Sequence, residues 1–410
     1  MFAVLTSAAL ALAPFGLKSG DRVVFYGDSI TEQQFYTVDV ETFVRTRYPG
    51  LNVRFYDRGW SGDSSWGGGG GDPATRVSRD VAPLKPTVVT IMLGMNDGGY
   101  VPYEQKIADT FNDWYGKLIG YIQKDAPGAR LTLIRTSPWD DIAKDNPPFP
   151  KTGWVSWHGY NDVLLHYGKV VQDQAEKNHY SFVDFNKPMT DLVTAAKAAN
   201  PELATQIIPD GIHPGPAGHI IMAGALLKSW GADPVVSSVH LNAASKAVAG
   251  SERTHIDSFD GTSWTQKDEA LPFAMDPDDK VVQLVLANSH FTDELNQETL
   301  QVEGLAAGNY ELSIDGTAVS KFSADQLSTG VNLANFATPM RKQALDVLGA
   351  VRERSQLDFF QWRQVRVSHA DLPAEAKADQ ALSALEVQMD DQVIKMAEPK
   401  PHKYQLKLVP

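Results

Sequence analysis

The stretch Arg22-Val23-Val24-Phe25-Tyr26-Gly27-Asp28-Ser29-Ile30-Thr31 decides the fold. After Arg22, four apolar residues, β-branched and aromatic, make the short continuous run of a strand buried on both faces. Gly27-Asp28-Ser29 then turns the chain, and residues 32–48 carry a helical pattern. A buried strand that leads through a glycine turn straight into a helix is the repeating unit of a parallel sheet. A serine at that turn stands at a helix N-terminus, where unpaired N–H groups and the positive dipole end favour a developing negative charge. The plainer role for Ser29 is that of an N-cap.

The same alternation extends outward to about Trp230. Strands are predicted over residues 22–26, 53–56, 87–93, 131–136 and 181–185. Ile107, Phe111, Trp114, Tyr115, Leu118, Ile119 and Ile122 recur at helical spacing, which predicts one apolar stripe on a helix over 103–124, ended by Pro127-Gly128. Further helices are predicted over 32–48, 160–177 and 216–230, the last with proline at its start, where a missing N–H costs nothing. The fold class is therefore α/β, a three-layer α/β/α sandwich. After Gly231-Ala232-Asp233-Pro234 the alternation stops. Residues 281–287 and 299–302 read as strands, 310–314 and 317–322 as a hairpin around Asp315-Gly316, and 340–354 and 374–396 as helices. The chain thus divides into a leader-like segment at 1–20, an α/β unit at 21–234 and an accessory α+β region at 235–410.

Length and composition limit the function classes. A chain of 410 residues, 43% hydrophobic and 21% charged, is an ordinary globular protein with room for two or three units. Its net charge of −13 disfavours nucleic acid and anionic membrane surfaces as partners. Cysteine is absent, which removes disulfides, thiolate metal sites and cysteine nucleophiles. The first residues resemble the apolar core and cleavage zone of a secretory leader without its basic start; the other reading is a segment packed on the domain. A secreted or periplasmic protein is the expectation, with a cytoplasmic one as the alternative. Oligomeric state is not legible.

In an open parallel sheet, ligands bind beyond the carboxyl ends of the strands, so the residues after each strand are the candidates for chemistry. The second strand is followed by Arg58-Gly59-Trp60-Ser61-Gly62-Asp63 and later by five glycines, 67–71. Gly62 has the freedom to aim its N–H at an oxyanion, whereas the glycine run reads as a flexible loop. After the third strand stands Gly94-Met95-Asn96-Asp97, where the Asn96 amide is a natural further donor, or else a turn former. Asp210-Gly211-Ile212-His213 falls in a loop before the last helix of the unit. A histidine three residues after an aspartate can donate Nδ1–H to the carboxylate and present Nε2 outward, the arrangement a base needs to activate a serine hydroxyl. The ten histidines include no His-Glu-x-x-His spacing, so neither metal nor cofactor is expected.

Taken in order, these four blocks resemble those of the SGNH hydrolases, the GDSL esterase and lipase family. The Ser block matches at residues 27–31, the Gly block at 59–63, the Asn block at 94–97 and the Asp-x-x-His block at 210–213. The resemblance covers about residues 20–232 and implies a flavodoxin-like sheet. It further implies that Ser29 is the nucleophile, His213 the general base and then acid, and Asp210 the carboxylate that orients it. The oxyanion hole would be the Ser29 and Gly62 backbone N–H groups and the Asn96 side chain. One departure is Arg58, where the Gly block often has Asn; it bears on contacts of the loop. The region after 235 looks like accessory regions of bacterial members.

For the substrate, Trp60, Trp66, Trp139, Trp154 and Trp157 fall in loops on the same rim as the four blocks, with Tyr100 beside the Asn block. Flat apolar faces with an N–H handle suit sugar rings, and the competing role is packing within the loops. The expected function is that of a serine esterase removing short acyl groups, acetyl above all, from a carbohydrate, its partner being a small-molecule or polysaccharide ester substrate. The alternatives are a lipase, lysophospholipase or thioesterase of the same family, and a catalytically retired carbohydrate-binding protein.

Overall fold

The computed structural model describes residues 15–141, 159–276, 278–370 and 372–410. Five strands, β1 (Arg22–Gly27), β2 (Arg54–Gly59), β3 (Val88–Leu93), β4 (Arg130–Arg135) and β5 (Ser181–Asp184), form one sheet in the order β2-β1-β3-β4-β5. All of its pairings are parallel. All six residues of β3, the central strand, are buried, as expected of a strand covered on both faces. The register aligns Gly27 with Gly59 and with Met92, so β1, β2 and β3 end at the same level and the loops that follow them emerge side by side.

Helices cover both faces. The helix Gln105–Asp125 buries Ala108, Phe111, Tyr115, Leu118, Ile119 and Ile122 and leaves its other side in water, as its 3.6-residue stripe requires. Each large side chain buried in this way contributes about 1.5–3 kcal/mol relative to exposure. The helix predicted over 32–48 is broken in two, a short turn Ser29–Glu32 and the helix Phe35–Arg47. The chain bends between them at Gln34, which takes a left-handed φ of 59°. The helix Asn186–Ala199 was not anticipated. Residues 1–14 of the leader-like segment lie outside the described residues. Residues 15–20 pack on the α/β unit: Phe15 stacks on Tyr48 with ring centroids 4.3 Å apart, and Gly16 N–H donates to the Trp230 carbonyl at 2.6 Å.

Beyond Pro234 the chain builds a four-stranded sheet and a five-stranded sheet, which share a core that includes Leu241, Trp264, Leu300, Leu312 and Leu406. The Asp-Gly hairpin forms as Asn309–Ile314 paired with Thr317–Ser323. The run read as a strand at 281–287 is instead the helix Lys280–Ala287. Asp279 caps it, accepting the Val281 and Val282 N–H groups at 2.7 and 3.1 Å, and Val282 and Val285 turn into the core of the α/β unit. The two later helices form as Pro339–Phe360 and Glu375–Ala397, packed on each other. The first of them also lies against Phe35–Arg47 and β2, which brings the C-terminal region to the edge of the parallel sheet. Among the described residues no helix is long and apolar enough to cross a membrane.

Candidate active site

Glycines let the ends of β1 and β2 close on the turn Ser29–Glu32. A Cβ on Gly27 would overlap the Thr31 side chain, and one on Gly59 would overlap the Glu32 backbone. Asp28 caps the turn by accepting the Ile30 N–H at 3.0 Å, so the capping role considered for Ser29 belongs to its neighbour. Complete burial pushes the Asp28 carboxyl up to about 7.

The Ser29 side chain is thereby left to reach across to the loop before the helix Pro216–Ser229. Its Oγ stands 2.7 Å from His213 Nε2, and His213 Nδ1 stands 2.6 Å from Asp210 Oδ2. Asp210 Oδ1 accepts the Ile212 and His213 N–H groups at 2.9 and 2.7 Å, which fixes the carboxylate plane. Burial raises the Asp210 pKa, but the hydrogen bonds from His213 and Ile212 outweigh it and hold the group below the usual carboxylate range. Burial likewise depresses His213, and the hydrogen bond and charge of Asp210 outweigh it, leaving the imidazole above its ordinary value. With Nδ1 facing an ionised carboxylate, the proton of neutral His213 belongs on Nδ1, and the Nε2 lone pair accepts from the serine hydroxyl.

Asn96 lies after β3 with its amide held at both ends. Nδ2 donates to the Asp63 carbonyl at 2.8 Å, and the Tyr100 hydroxyl donates to Oδ1 at 2.8 Å. Tyr100 itself takes a left-handed φ of 58°. Gly62 sits at φ 77° in a turn closed by the Asp63 N–H on the Trp60 carbonyl at 3.0 Å. Next to it, Ser65 N–H donates to Asp97 Oδ1 at 2.7 Å, and burial raises the Asp97 carboxyl to about 6. The glycine run 67–71 is not an open loop: isolated bridges join Ser64 to Gly67 and Gly68 to Gly71. A Cβ on Gly70 would strike the Trp60 ring and the Arg76 side chain.

The rim aromatics separate into groups. Trp66 is exposed. Tyr100, Trp139 and Tyr160 form a cluster with ring centroids 5.1–5.8 Å apart. Trp60 is half-buried, with the Arg363 guanidinium 3.5 Å from its ring centroid and Trp362 edge-on at 5.7 Å, so packing takes up a ring read as a sugar platform. Trp154 and Trp157 lie outside the described residues. Sequence reasoning missed Tyr160, whose hydroxyl donates to the Met95 carbonyl at 2.8 Å next to Asn96. Nor does the sequence reading place Arg363, whose Nη2 faces Glu32 Oε1 at 3.4 Å beside this loop. Among the described residues no cluster of three or more His, Asp or Glu side chains is placed to hold a metal ion.

Residues 25–221 match the model of the GDSL-like lipase/acylhydrolase family. The chain is 27% identical over 235 residues to an acetylxylan esterase of Geobacillus stearothermophilus, an alignment that spans 52% of this chain and 95% of the relative. Over 96% of its length it is similar to the solved structure of a gut microbial diltiazem-metabolizing enzyme, at 26% identity and a TM-score of 0.77, covering 98% of that chain. The likeness to that enzyme includes the C-terminal region, whereas the esterase aligns with only about half of the chain. Through residues 25–221 the chain belongs to the GDSL-like lipase/acylhydrolase family, and with it to the carboxylic ester hydrolases.

Proposed function

We propose that this protein is a serine esterase that removes short acyl groups, acetyl above all, from carbohydrates. The observation that supports it most is the line from Ser29 Oγ through His213 to Asp210, with both gaps at hydrogen-bond length. In the first half-reaction Ser29 Oγ attacks the ester carbonyl carbon and its proton passes to His213 Nε2. The charge that collects on the carbonyl oxygen is met by the Ser29 and Gly62 N–H groups and by Asn96 Nδ2. Collapse breaks the bond to the alcohol, which leaves with the proton from His213, and the acyl group stays on Ser29. Water then repeats the sequence: it gives a proton to His213, attacks the acyl carbon and releases the acid, and the proton returns to Ser29 Oγ.

A carbohydrate ester is favoured by the similarity to an acetylxylan esterase and by the exposed ring of Trp66. An acetylated polysaccharide also suits the leader-like start and thus an enzyme acting outside the cytoplasm. In this reading residues 21–234 form the catalytic unit and 235–410 the accessory region. A second reading, a small non-sugar ester, is favoured by the similarity over nearly the whole chain to an enzyme that metabolizes diltiazem. The test is turnover of p-nitrophenyl acetate and labelling by a fluorophosphonate in the wild type and in Ser29→Ala, which should fold and do neither. Near wild-type kcat in Ser29→Ala would sink the assignment. Acetate release from acetylated xylan, its oligomers and small acetate esters separates the two substrates, and a preference for acyl chains of eight carbons or more would favour a lipase or thioesterase.

A further inference from the structure

The C-terminal region reaches the turn that carries Gly62. After the helix Pro339–Phe360 the chain winds on through Gln361–Val367, and this segment lies against the end of β2. Trp362 Nε1 donates to Asp80 Oδ1 at 2.8 Å, and Asp358 pairs with Arg58, so the segment is anchored independently of what Arg363 does. On the α/β unit Arg363 touches Gly59, Trp60 and Glu32. Its Nη1 donates to the Gly59 carbonyl at 3.3 Å, its guanidinium covers the Trp60 ring, and its Nη2 faces Glu32 Oε1 at 3.4 Å. Glu32 is the last residue of the turn that begins with Ser29, and its Oε2 accepts the Ser61 N–H.

Three successive residues before Gly62 are therefore held from one side: Gly59 by its carbonyl, Trp60 by its ring and Ser61 by its N–H through Glu32. Gly62 follows at φ 77° as the third residue of a turn. Turns of this kind differ from the commoner type by rotation of the central peptide, the one that carries the Gly62 N–H. Holding the residues that lead into that peptide decides which way the N–H points. The Arg363–Glu32 pair, 3.4 Å apart with 17% and 20% of the side chains exposed, is looser than the Arg58–Asp358 pair at 2.7 Å that anchors the segment.

We infer that Arg363 is a positioning residue for the oxyanion hole, holding the Gly62 turn against the Ser29 turn through Glu32 and Trp60. This rests on the esterase reading above and gives the C-terminal region a part in the chemistry of the α/β unit. Arg363 need not touch the ester; it acts by keeping two donors, the Ser29 and Gly62 N–H groups, at a fixed separation.

The experiment measures kcat, KM and Tm with p-nitrophenyl acetate for the wild type, Arg363→Ala, Arg363→Lys, Glu32→Gln and the double variant Glu32→Gln/Arg363→Ala. Arg363→Ala should lower kcat by about ten- to a hundredfold, the scale of a misplaced catalytic geometry, with KM and Tm little changed. Arg363→Lys should recover part of the loss. Because Arg363 acts in part through Glu32, the double variant should lose clearly less than the product of the two single losses. Wild-type kcat in Arg363→Ala, a fall that only follows lost folded protein, or losses that multiply in the double variant would each overturn the proposal. Failure of the esterase reading shows separately, as a wild type that neither turns over nor labels at Ser29, and it would remove this proposal too.

Discussion

Arg58 and Asp358, 300 residues apart, meet in a two-pronged ion pair, with Nη1 2.7 Å from Oδ2 and Nη2 3.0 Å from Oδ1. Their side chains are 1% and 4% exposed, and the Arg58 guanidinium also lies 4.8 Å from the Trp362 ring centroid. The residue that departs from the usual Gly block is thus among those that receive the C-terminal region. Fork-to-fork geometry of this kind is specific to arginine and a carboxylate.

A buried charge left without its partner is costly, whereas exchanging the whole pair for apolar groups is often neutral or better. Asp358→Ala should therefore destabilise the fold by about 3–5 kcal/mol in urea unfolding, while Arg58→Met/Asp358→Leu should recover most of that. Equal losses in the single and double variants would mean that packing, rather than the charge pair, joins the two regions.

The pH profile follows from His213. Only its neutral form accepts the serine proton, and Asp210 holds its pKa above the ordinary value of 6.5. As pH falls through that raised pKa the base is lost, so kcat/KM should drop along a limb centred above pH 6.5. Asp210→Asn removes both the hydrogen-bonded charge and the orientation, so the limb should move to lower pH and kcat should fall. Rates for acetyl ester hydrolysis that stay flat from pH 8 to pH 5 would exclude His213 as the base.

Much of this arrangement was legible because it is local. The run into Gly27-Asp28-Ser29 announced a buried strand and a tight turn, and Asp210 with His213 sits within one loop whose own N–H groups orient the carboxylate. What escaped had three physical causes. In Lys280–Ala287 the run Val281-Val282-Gln283-Leu284-Val285 is too short for its period to separate strand from helix, and the Asp279 cap decided it. In Asn186–Ala199 the buried Met189, Leu192, Val193 and Ala196 do keep helical spacing, but threonine, aspartate and alanine between them dilute the stripe. The contacts of Arg58 and Glu32 with residues 358 and 363 carry no local signal at all, since only the folded chain brings them together.

Asn96 is the donor that mutation can remove without touching the backbone. Asn96→Ala should lower kcat for p-nitrophenyl acetate by about 10²–10³ with KM nearly unchanged, the scale of one lost oxyanion donor. Tyr100→Phe removes the hydroxyl that fixes Oδ1 and frees the amide to turn over, so a smaller loss in kcat, about tenfold, is expected. A Tyr100→Phe variant that instead raises KM alone would assign Tyr100 to substrate contact.

His219 tests the core beneath the site through stability rather than rate. It is fully buried, its Nδ1 accepts the Tyr36 N–H at 3.1 Å at the start of the helix Phe35–Arg47, and its Nε2 faces Gln33 Oε1 at 3.1 Å. That pattern fits the neutral ring protonated on Nε2, and burial depresses its pKa to about 3. The unfolded chain takes up a proton on this ring as pH falls through about 6.5, while the folded chain does not until near 3, so acid favours unfolding. Integrated from pH 7.5 to pH 5, that linkage amounts to about 2 kcal/mol at roughly 1.4 kcal/mol per unit. Urea unfolding of the wild type should therefore lose about 2 kcal/mol more over this interval than that of His219→Gln, which has no titrating ring. An equal loss in both proteins would mean that the folded state can take up the proton on His219, and that the ring is not the neutral cap its two hydrogen bonds describe.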